Sequence, residues 1–224
     1  VADFGQWIDD LSEFWGQWKG EGPGPCVLAG HSMGGHLVLR AVAEGRVDPA
    51  ALVLSAPMLG FLGPLPAAVM HLAARVMAAL GDRCRPAWKW SEKPGELPED
   101  RIGLLTHDQA RYDDEVWWRA ARPELVMGPG SWGWVERAYA SMRGLGRAGV
   151  LEAVQVPVFI AATAQDRLVA WHAIARAARR LPHCELLQLG PEARHEVLRE
   201  ADPVRDRVLA AIDAFLDRAA PAQA

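Results

Sequence analysis

Residues 27–36 read Val-Leu-Ala-Gly-His-Ser-Met-Gly-Gly-His, a short apolar run that ends in the pattern G-x-S-x-G. With a strand before it and a helix after it, this pattern predicts a sharp turn that exposes the serine hydroxyl above a sheet. Gly30 and Gly34 are expected to let strand and helix approach closely, because neither carries a side chain. Ser32 is therefore the candidate nucleophile, and the N–H of Met33, at the helix start, is the candidate oxyanion donor.

The composition indicates one ordinary folded domain. The chain has 224 residues, half of them apolar, and a formal net charge of −4. This charge gives no reason to expect nucleic acid as a partner. The three cysteines are far apart and form neither a disulfide framework nor a metal-ligand pattern, which favours a reducing compartment. We expect no cofactor and no metal, and no apolar run approaches the length of a membrane span.

The order of apolar runs predicts an α/β fold with a mostly parallel sheet, because strands alternate with amphipathic helices. Four buried strands are predicted, at 26–29, 51–55, 156–162 and 184–189. Helices are predicted at 2–18, 36–43, 171–180 and 202–216, and Asp3 with Gln6 resembles a capping box for the first of them.

The alternation stops between residues 60 and 145, which predicts a helical cap inserted into the core formed by 1–59 and 146–224. A loop is expected from Arg83 to Asp100. One apolar stripe at helical spacing comprises Val69, Leu72, Ala73, Val76, Met77 and Leu80. Core packing within the cap is the favoured interpretation of this stripe, and an acyl-chain pocket or lid stays open beside it.

A serine hydroxyl needs a neighbouring base, and that base needs a third group to orient it. In an α/β fold such groups lie in loops beyond the carboxyl ends of strands. Asp166 follows the third predicted strand and His195 follows the fourth. The order Ser32, Asp166, His195 matches the nucleophile–acid–histidine order typical of α/β-hydrolases.

Other polar residues are weaker candidates for this chemistry. The side chain of His31 should turn away from the Ser32 hydroxyl and serve packing or the loop, and His36 should face the surroundings of its helix. His107, in the cap, could touch substrate or bond to neighbours such as Asp108. Asp202 and Asp206 lie in or near the last helix and are more consistent with cap or surface charges. Glu196 and Glu200 are interpreted as polar partners of the final loop and helix.

The chain resembles the lysophospholipase and monoacylglycerol lipase group of α/β-hydrolases, within the serine aminopeptidase-like hydrolases. The stretches that carry the resemblance are Val1-Ala2-Asp3-Phe4 with Asp9-Asp10-Leu11, Gly30 to His36, Leu105-Thr106-His107-Asp108 with Arg111-Tyr112, Gln165 to Val169, and His195-Glu196. The cap stretch is similar to the lysophospholipase L2-like branch. The resemblance implies Ser32 as nucleophile, Asp166 as orienting acid, His195 as base and Met33 as oxyanion donor.

The resemblance also implies strands and an early His-Gly loop, the source of a second oxyanion donor, ahead of the first residue here. The chain is therefore expected to be truncated at its N-terminus relative to that group, with an open sheet edge. It is expected to act on lipid-like monoacyl esters, with Met77, His107 and Trp132 as cap candidates for substrate contact. An aminopeptidase, an acyltransferase, and an inactive fragment or non-catalytic module are the alternatives. We expect a cytoplasmic location, with peripheral contact at the inner membrane through the cap left open.

Overall fold

The centre of the molecule is a four-stranded parallel sheet. The computed structural model describes residues 3–63, 65–87, 101–126 and 129–222. Within them the strands lie in the order in which they occur in the chain. They are β1 (Val27–His31), β2 (Ala51–Ser55), β3 (Val158–Thr163) and β4 (Cys184–Leu189). All three pairings are parallel, which confirms the predicted α/β class. Strand β1 runs two residues beyond its predicted end at Ala29, to His31, the residue before the serine.

Eight α-helices surround or follow the strands within the described residues. They are α1 (Phe4–Trp18), α2 (Met33–Ala43), α3 (Ala67–Leu80), α4 (Ile102–Leu105), α5 (Gln109–Ala121), α6 (Trp132–Leu145), α7 (Trp171–Arg180) and α8 (Asp202–Ala219). Short 3₁₀ turns occur at Pro123–Leu125 and Val197–Arg199. Asp3 caps α1, accepting a hydrogen bond from the Gly5 N–H, two residues on.

The two faces of the sheet are covered by different helices. One face packs with α1, α2, α6 and α7 around residues such as Leu54, Ile160 and Ile174. The other packs with α8, where Phe159 of β3 meets Phe215 with ring centroids 5.6 Å apart. Because both faces are covered, every residue of β2 and β3 is buried. This explains why their sequences are continuous apolar runs rather than alternating ones.

Residues 60–145, here called the inter-strand segment, connect β2 to β3 and carry α3 to α6. The expectation that the stripe of α3 forms a core is wrong. Its four large aliphatic members are exposed: Val69, Leu72, Val76 and Leu80. Instead α3 buries His71, Ala74 and Ala78, which lie on the side of the helix that packs on α6. Small side chains permit this close helix contact, so the larger apolar side chains are directed outward.

Other expectations for this segment are tested only in part. Residues 83–87 form neither helix nor strand, and the rest of the predicted loop, 88–100, lies outside the described residues. The division into a core of 1–59 and 146–224 and a cap of 60–145 stays a prediction. No helix among the described residues is long and apolar enough to cross a membrane.

Candidate active site

Ser32 occupies a strained turn between β1 and α2. Its backbone has φ 51° and ψ −116°, a left-handed region that residues other than glycine rarely adopt. Two hydrogen bonds hold the turn: the Ser32 N–H donates to the Ser55 carbonyl at 2.9 Å, and the Met58 N–H donates to the Ser32 carbonyl at 2.9 Å. The end of β2 therefore fixes the serine, as the sharp-turn prediction requires.

Two glycines, one of them different from the predicted pair, make room for this turn. A Cβ at Gly30 would lie 2.7 Å from the backbone of Gly34 and Gly35, so no other residue fits there. A Cβ at Gly35 would lie 3.0 Å from both the Gly30 carbonyl oxygen and the Pro57 Cβ. A Cβ at Gly34 would meet nothing within 4 Å. The steric role assigned to Gly34 is thus wrong, because its side-chain direction is open and only its backbone is approached.

Ser32, His195 and Asp166 form a hydrogen-bonded line. The His195 Nε2 lies 2.9 Å from the Ser32 Oγ, and the His195 Nδ1 lies 2.7 Å from the Asp166 Oδ2. The imidazole and the carboxylate are both buried. The structure therefore brings together the three residues that the sequence proposed, which are 163 and 29 positions apart along the chain.

Asp166 is oriented by the turn that follows β3. Its Oδ1 accepts hydrogen bonds from the N–H groups of Leu168, at 2.7 Å, and Val169, at 3.0 Å. The other oxygen is left for the Nδ1–H of His195. A carboxylate held in this way selects the tautomer whose Nε2 can accept a proton from the serine hydroxyl.

His31 packs beside this line without bonding to the serine. Its Nδ1 lies 3.1 Å from the Ser55 Oγ, and its ring centroid lies 4.8 Å from that of His195. His31 is an exposed residue, yet desolvation by the surrounding protein, together with the nearby His195, lowers the pKa of His31 to about 4. His31 is therefore neutral at pH 7 and places no charge against His195.

The remaining histidines of the sequence analysis lie elsewhere. His36, on α2, is fully buried, and its Nε2 lies 2.6 Å from the Ser141 Oγ of α6. His107 lies in the inter-strand segment, where its Nδ1 is 3.1 Å from the Glu200 Oε1. Glu200 is thus a buried partner of the inter-strand segment, a contact that the sequence analysis missed.

A cluster of arginines and carboxylates lies next to His195. Glu196 is ion-paired with Arg199 at 2.6 Å, and burial raises the pKa of Glu196. Burial would also raise the pKa of Glu115, but hydrogen bonds from Arg101, Arg119 and Arg199 hold that pKa below its usual value. At neutral pH the acidic groups of this cluster are therefore matched by guanidinium groups.

The three cap candidates for substrate contact have no described bond to Ser32. Met77 is half-buried on α3, and Trp132 is the half-buried first residue of α6. Among the described contacts, no hydrogen bond or ring contact links Met77, His107 or Trp132 to the Ser32–His195–Asp166 line. Two described cavities of about 420 Å³ also lie elsewhere, since neither is lined by any residue of that line. The roles of these candidates stay predictions.

A known protein family matches most of the chain. The family model described as Hydrolase_4, serine aminopeptidase S33, matches residues 1–202. Lysophospholipase L2 of Escherichia coli strain K12 is 26% identical over an alignment of 234 residues, gaps included, that covers 97% of this chain. The chain spans 65% of the length of that curated relative.

Solved structures of similar fold cover the whole chain or nearly all of it. A soluble variant of monoglyceride lipase from Saccharomyces cerevisiae, in complex with a substrate analog, matches with a TM-score of 0.73 and 20% identity, covering 100% of this chain and 72% of that chain. The monoacylglycerol lipase of Paleococcus ferrophilus matches with a TM-score of 0.69 and 18% identity, covering 96% of this chain and 76% of that chain. At these identities the likeness shows the fold, and the predicted α/β-hydrolase fold is confirmed.

Proposed function

Because this chain belongs to the serine aminopeptidase (S33) family of hydrolases, we propose that it is a serine ester hydrolase that cleaves lipid-like monoacyl esters. The observation that carries the proposal is the Ser32–His195–Asp166 line, with its 2.9 Å and 2.7 Å contacts at the end of the sheet. Such a line supplies a nucleophile, a base and an orienting acid in one geometry.

In the proposed mechanism Ser32 Oγ attacks the ester carbonyl while His195 Nε2 takes its proton. Asp166 stabilises the resulting imidazolium through the Nδ1–H bond. The tetrahedral oxyanion accepts a hydrogen bond from the Met33 N–H, which has no partner inside α2 because it lies in the first turn. His195 then donates the proton to the leaving alcohol. Water activated by the same imidazole cleaves the acyl-enzyme.

The proposed substrate class rests on the relatives and on exposed apolar side chains of the inter-strand segment. One relative is named a lysophospholipase and two structural neighbours are named monoglyceride or monoacylglycerol lipases. Exposed aliphatic side chains such as Leu72 lie on α3, and the exposed tryptophans Trp117 and Trp118 lie on α5. An acyl chain is the substrate group that such surfaces would favour.

An aminopeptidase with the same three residues is the competing activity, given the family description. It would need a free carboxylate to hold the amino group of its substrate. Two carboxylates of the charged cluster beside His195 are instead bonded to arginines, Glu196 to Arg199 and Glu115 to Arg101 and Arg119. This pairing supports an ester substrate rather than a free amine.

The decisive experiment compares the purified protein with its Ser32→Ala variant. We expect hydrolysis of medium-chain monoacylglycerol and lysophospholipid to fall by roughly 10³-fold or more, because the nucleophile is gone. Labelling by a fluorophosphonate probe should disappear in the same variant. Amino-acid arylamides should be hydrolysed far more slowly than the esters by the unmodified protein.

Each other outcome points to a named alternative. Ester hydrolysis that survives Ser32→Ala contradicts the mechanism. Faster turnover of arylamides would make the protein an aminopeptidase, and transfer of the acyl group to an added alcohol in preference to water would make it an acyltransferase. Absence of both labelling and hydrolysis would favour a non-catalytic module.

We further propose a cytoplasmic protein that contacts the inner membrane peripherally through the exposed face of α3. Val69, Leu72 and Val76 are all more than two-fifths exposed on this face. Residues 65–81 contain no acidic side chain and a single arginine, Arg75. A face of this kind suits the boundary between acyl chains and anionic headgroups.

Vesicle sedimentation tests this contact. Leu72→Asp should weaken binding to vesicles of phosphatidylglycerol and phosphatidylethanolamine by roughly tenfold, because it removes apolar area and adds a like charge. The matched control is Leu209→Asp on α8, where the leucine is also exposed. Equal binding by both variants would contradict the proposal.

A further inference from the structure

The loop that carries His195 is joined to the inter-strand segment by backbone hydrogen bonds. The His195 N–H donates to the Leu104 carbonyl at 3.4 Å, and the Glu196 N–H donates to the Leu105 carbonyl at 2.9 Å. The position of His195 therefore depends on α4 and the residues after it, as well as on the end of β4.

One carboxylate lies inside this junction. The side chain of Glu200 is 1% exposed, although no arginine or lysine bonds to its carboxylate among the described contacts. Its Oε1 accepts the Arg194 N–H at 2.7 Å, and its Oε2 accepts the His107 N–H at 2.9 Å. The His107 Nδ1, at 3.1 Å, and the Thr106 Oγ1, at 3.3 Å, complete its surroundings. Glu200 thus bonds at once to the neighbour of His195 and to the inter-strand segment.

Further bonds close the junction from both directions. The guanidinium of Arg194 donates to the Thr106 carbonyl at 2.8 Å, and the Thr106 Oγ1 donates to the Arg199 carbonyl at 2.7 Å. The Arg199 guanidinium donates to the Arg111 carbonyl at 2.6 Å, while the Arg111 guanidinium donates to the Glu200 carbonyl. Each chain segment therefore supplies donors to the backbone of the other, which leaves little freedom for either to move alone.

The chemistry of this junction requires a carboxylate rather than an amide. Two backbone N–H groups approach opposite oxygens of Glu200, so both oxygens must accept. A glutamine would offer one accepting oxygen and turn an NH₂ donor toward the other N–H. A buried N–H left without its acceptor destabilises the local geometry, so the junction would loosen at Arg194, directly before His195.

We propose that Glu200 is a positioning residue that fixes His195 against Ser32 and Asp166 by bonding Arg194 to the Thr106–His107 backbone. This inference rests on the proposed function, in which His195 is the base. It gives the Leu-Thr-His-Asp stretch, 105–108, a role in placing the base rather than in touching substrate. It also makes the inter-strand segment part of the machinery that aligns the nucleophile and base.

The test is Glu200→Gln, with kinetics normalised to the number of sites labelled by a fluorophosphonate. The expected result is a fall of roughly 10–100-fold in kcat per labelled site with KM within twofold, because a base displaced by a fraction of an ångström transfers protons poorly while substrate still binds. The matched control is Glu192→Gln in the same connection. Glu192 is exposed and accepts the Gly190 N–H at 3.1 Å, within the core alone. Glu192→Gln should keep the unmodified kcat.

If Glu200→Gln does not fold, a second pair of variants tests whether the junction positions His195. Thr106→Val removes the hydroxyl bonds to Arg199 and Glu200 and should lower kcat per labelled site, whereas Thr106→Ser retains the hydroxyl and should restore it. The inference would be overturned if kcat per labelled site were unchanged in Glu200→Gln or in Thr106→Val. Equal losses in Glu200→Gln and Glu192→Gln would also overturn it. Its failure is distinct from failure of the proposed function, in which the unmodified protein itself would show no hydrolysis that depends on Ser32.

Discussion

Strand β2 and helix α3 are both almost entirely apolar, yet the fold buries all of one and only part of the other. Every residue of Ala51–Ser55 is buried, because helices cover the sheet on both faces. Helix α3 buries His71, Ala74 and Ala78, and exposes Leu72 and the other large aliphatic side chains around its opposite side. An apolar sequence was therefore enough to predict burial in β2, which is covered on both faces. It was not enough in α3, where only the face that packs on α6 is buried.

The choice of face on α3 follows from size and from polar partners. The alanines let α3 approach α6 closely, and His71 finds partners there: the Arg143 guanidinium donates to its Nδ1 at 3.0 Å, and its ring stacks on Tyr139. The larger side chains would have kept the helices further apart. Close packing of small residues thus prevailed over burial of large ones in this pair of helices.

The largest effect is expected at the turn that ends β1. Gly30→Ala should destabilise the protein by about 4 kcal/mol or more, because the new Cβ would lie 2.7 Å from backbone atoms of α2 that cannot move away. Gly34→Ala should be neutral or slightly stabilising, since its Cβ direction is open and alanine favours a helix. Urea denaturation measures both. Equal losses would contradict the assignment of the close contact to Gly30.

The same substitution placed in the two regions tests the comparison directly. Leu54→Ala, at a position in β2 that is 0% exposed, should lower the free energy of unfolding by about 3 kcal/mol. Leu72→Ala, at a position in α3 that is 60% exposed, should change it by no more than about 0.5 kcal/mol. Chemical denaturation of both variants checks this. A loss of several kcal/mol at Leu72 would show that its face is covered.

The packing of α3 on α6 can be tested by adding volume. Ala74→Leu should destabilise by about 2 kcal/mol, because Ala74 is fully buried and three added carbons would force the helices apart. Ala73→Leu lies one residue away on the exposed face and should have little effect. Thermal melts of the two variants give the comparison. If Ala73→Leu were the more damaging, the buried face would be the one that the stripe predicted.

A smaller, pH-dependent effect is expected at His36, which joins α2 of the core to α6. Burial, and then the nearby Arg40, lowers the pKa of His36 to about 3. The unfolded chain, with an ordinary histidine pKa near 6.5, therefore binds the proton more tightly, so stability falls as the pH drops below about 6.5. The loss should be about 1 kcal/mol at pH 5.5 and should continue down to about pH 3.

The variant His36→Gln should flatten this dependence, whatever its stability at pH 7.5. His172→Gln, at an exposed position on α7, should leave the slope unchanged. Unfolding free energies between pH 7.5 and 5.5 measure it. An identical slope in His36→Gln and the unmodified protein would contradict a neutral, buried His36.

The three residues that the sequence singled out and that the structure joins in the hydrogen-bonded line share one property: their sequence signals are local. The five-residue pattern G-x-S-x-G indicates Ser32, and Asp166 and His195 each follow a recognisable strand. Glu200 had no such signal. Its partners Thr106 and His107 are more than ninety residues away, and an acidic residue before a helix resembles any surface charge. The wrong steric role for Gly34 also reflects missing tertiary information. The G-x-S-x-G pattern contains the glycine but does not show which atoms lie next to its Cα.

The sequence by itself determined the parallel sheet, the strained turn and the three residues of the hydrogen-bonded line, since each depends on spacing within a strand, a turn or a helix. The tertiary structure decided which face of α3 is buried, that His31 packs on His195, and that Glu200 connects the His195 loop to the inter-strand segment. These outcomes depend on which distant segments meet and on how closely their side chains allow them to pack. That information resides in pairs of segments, and neither segment contains it alone.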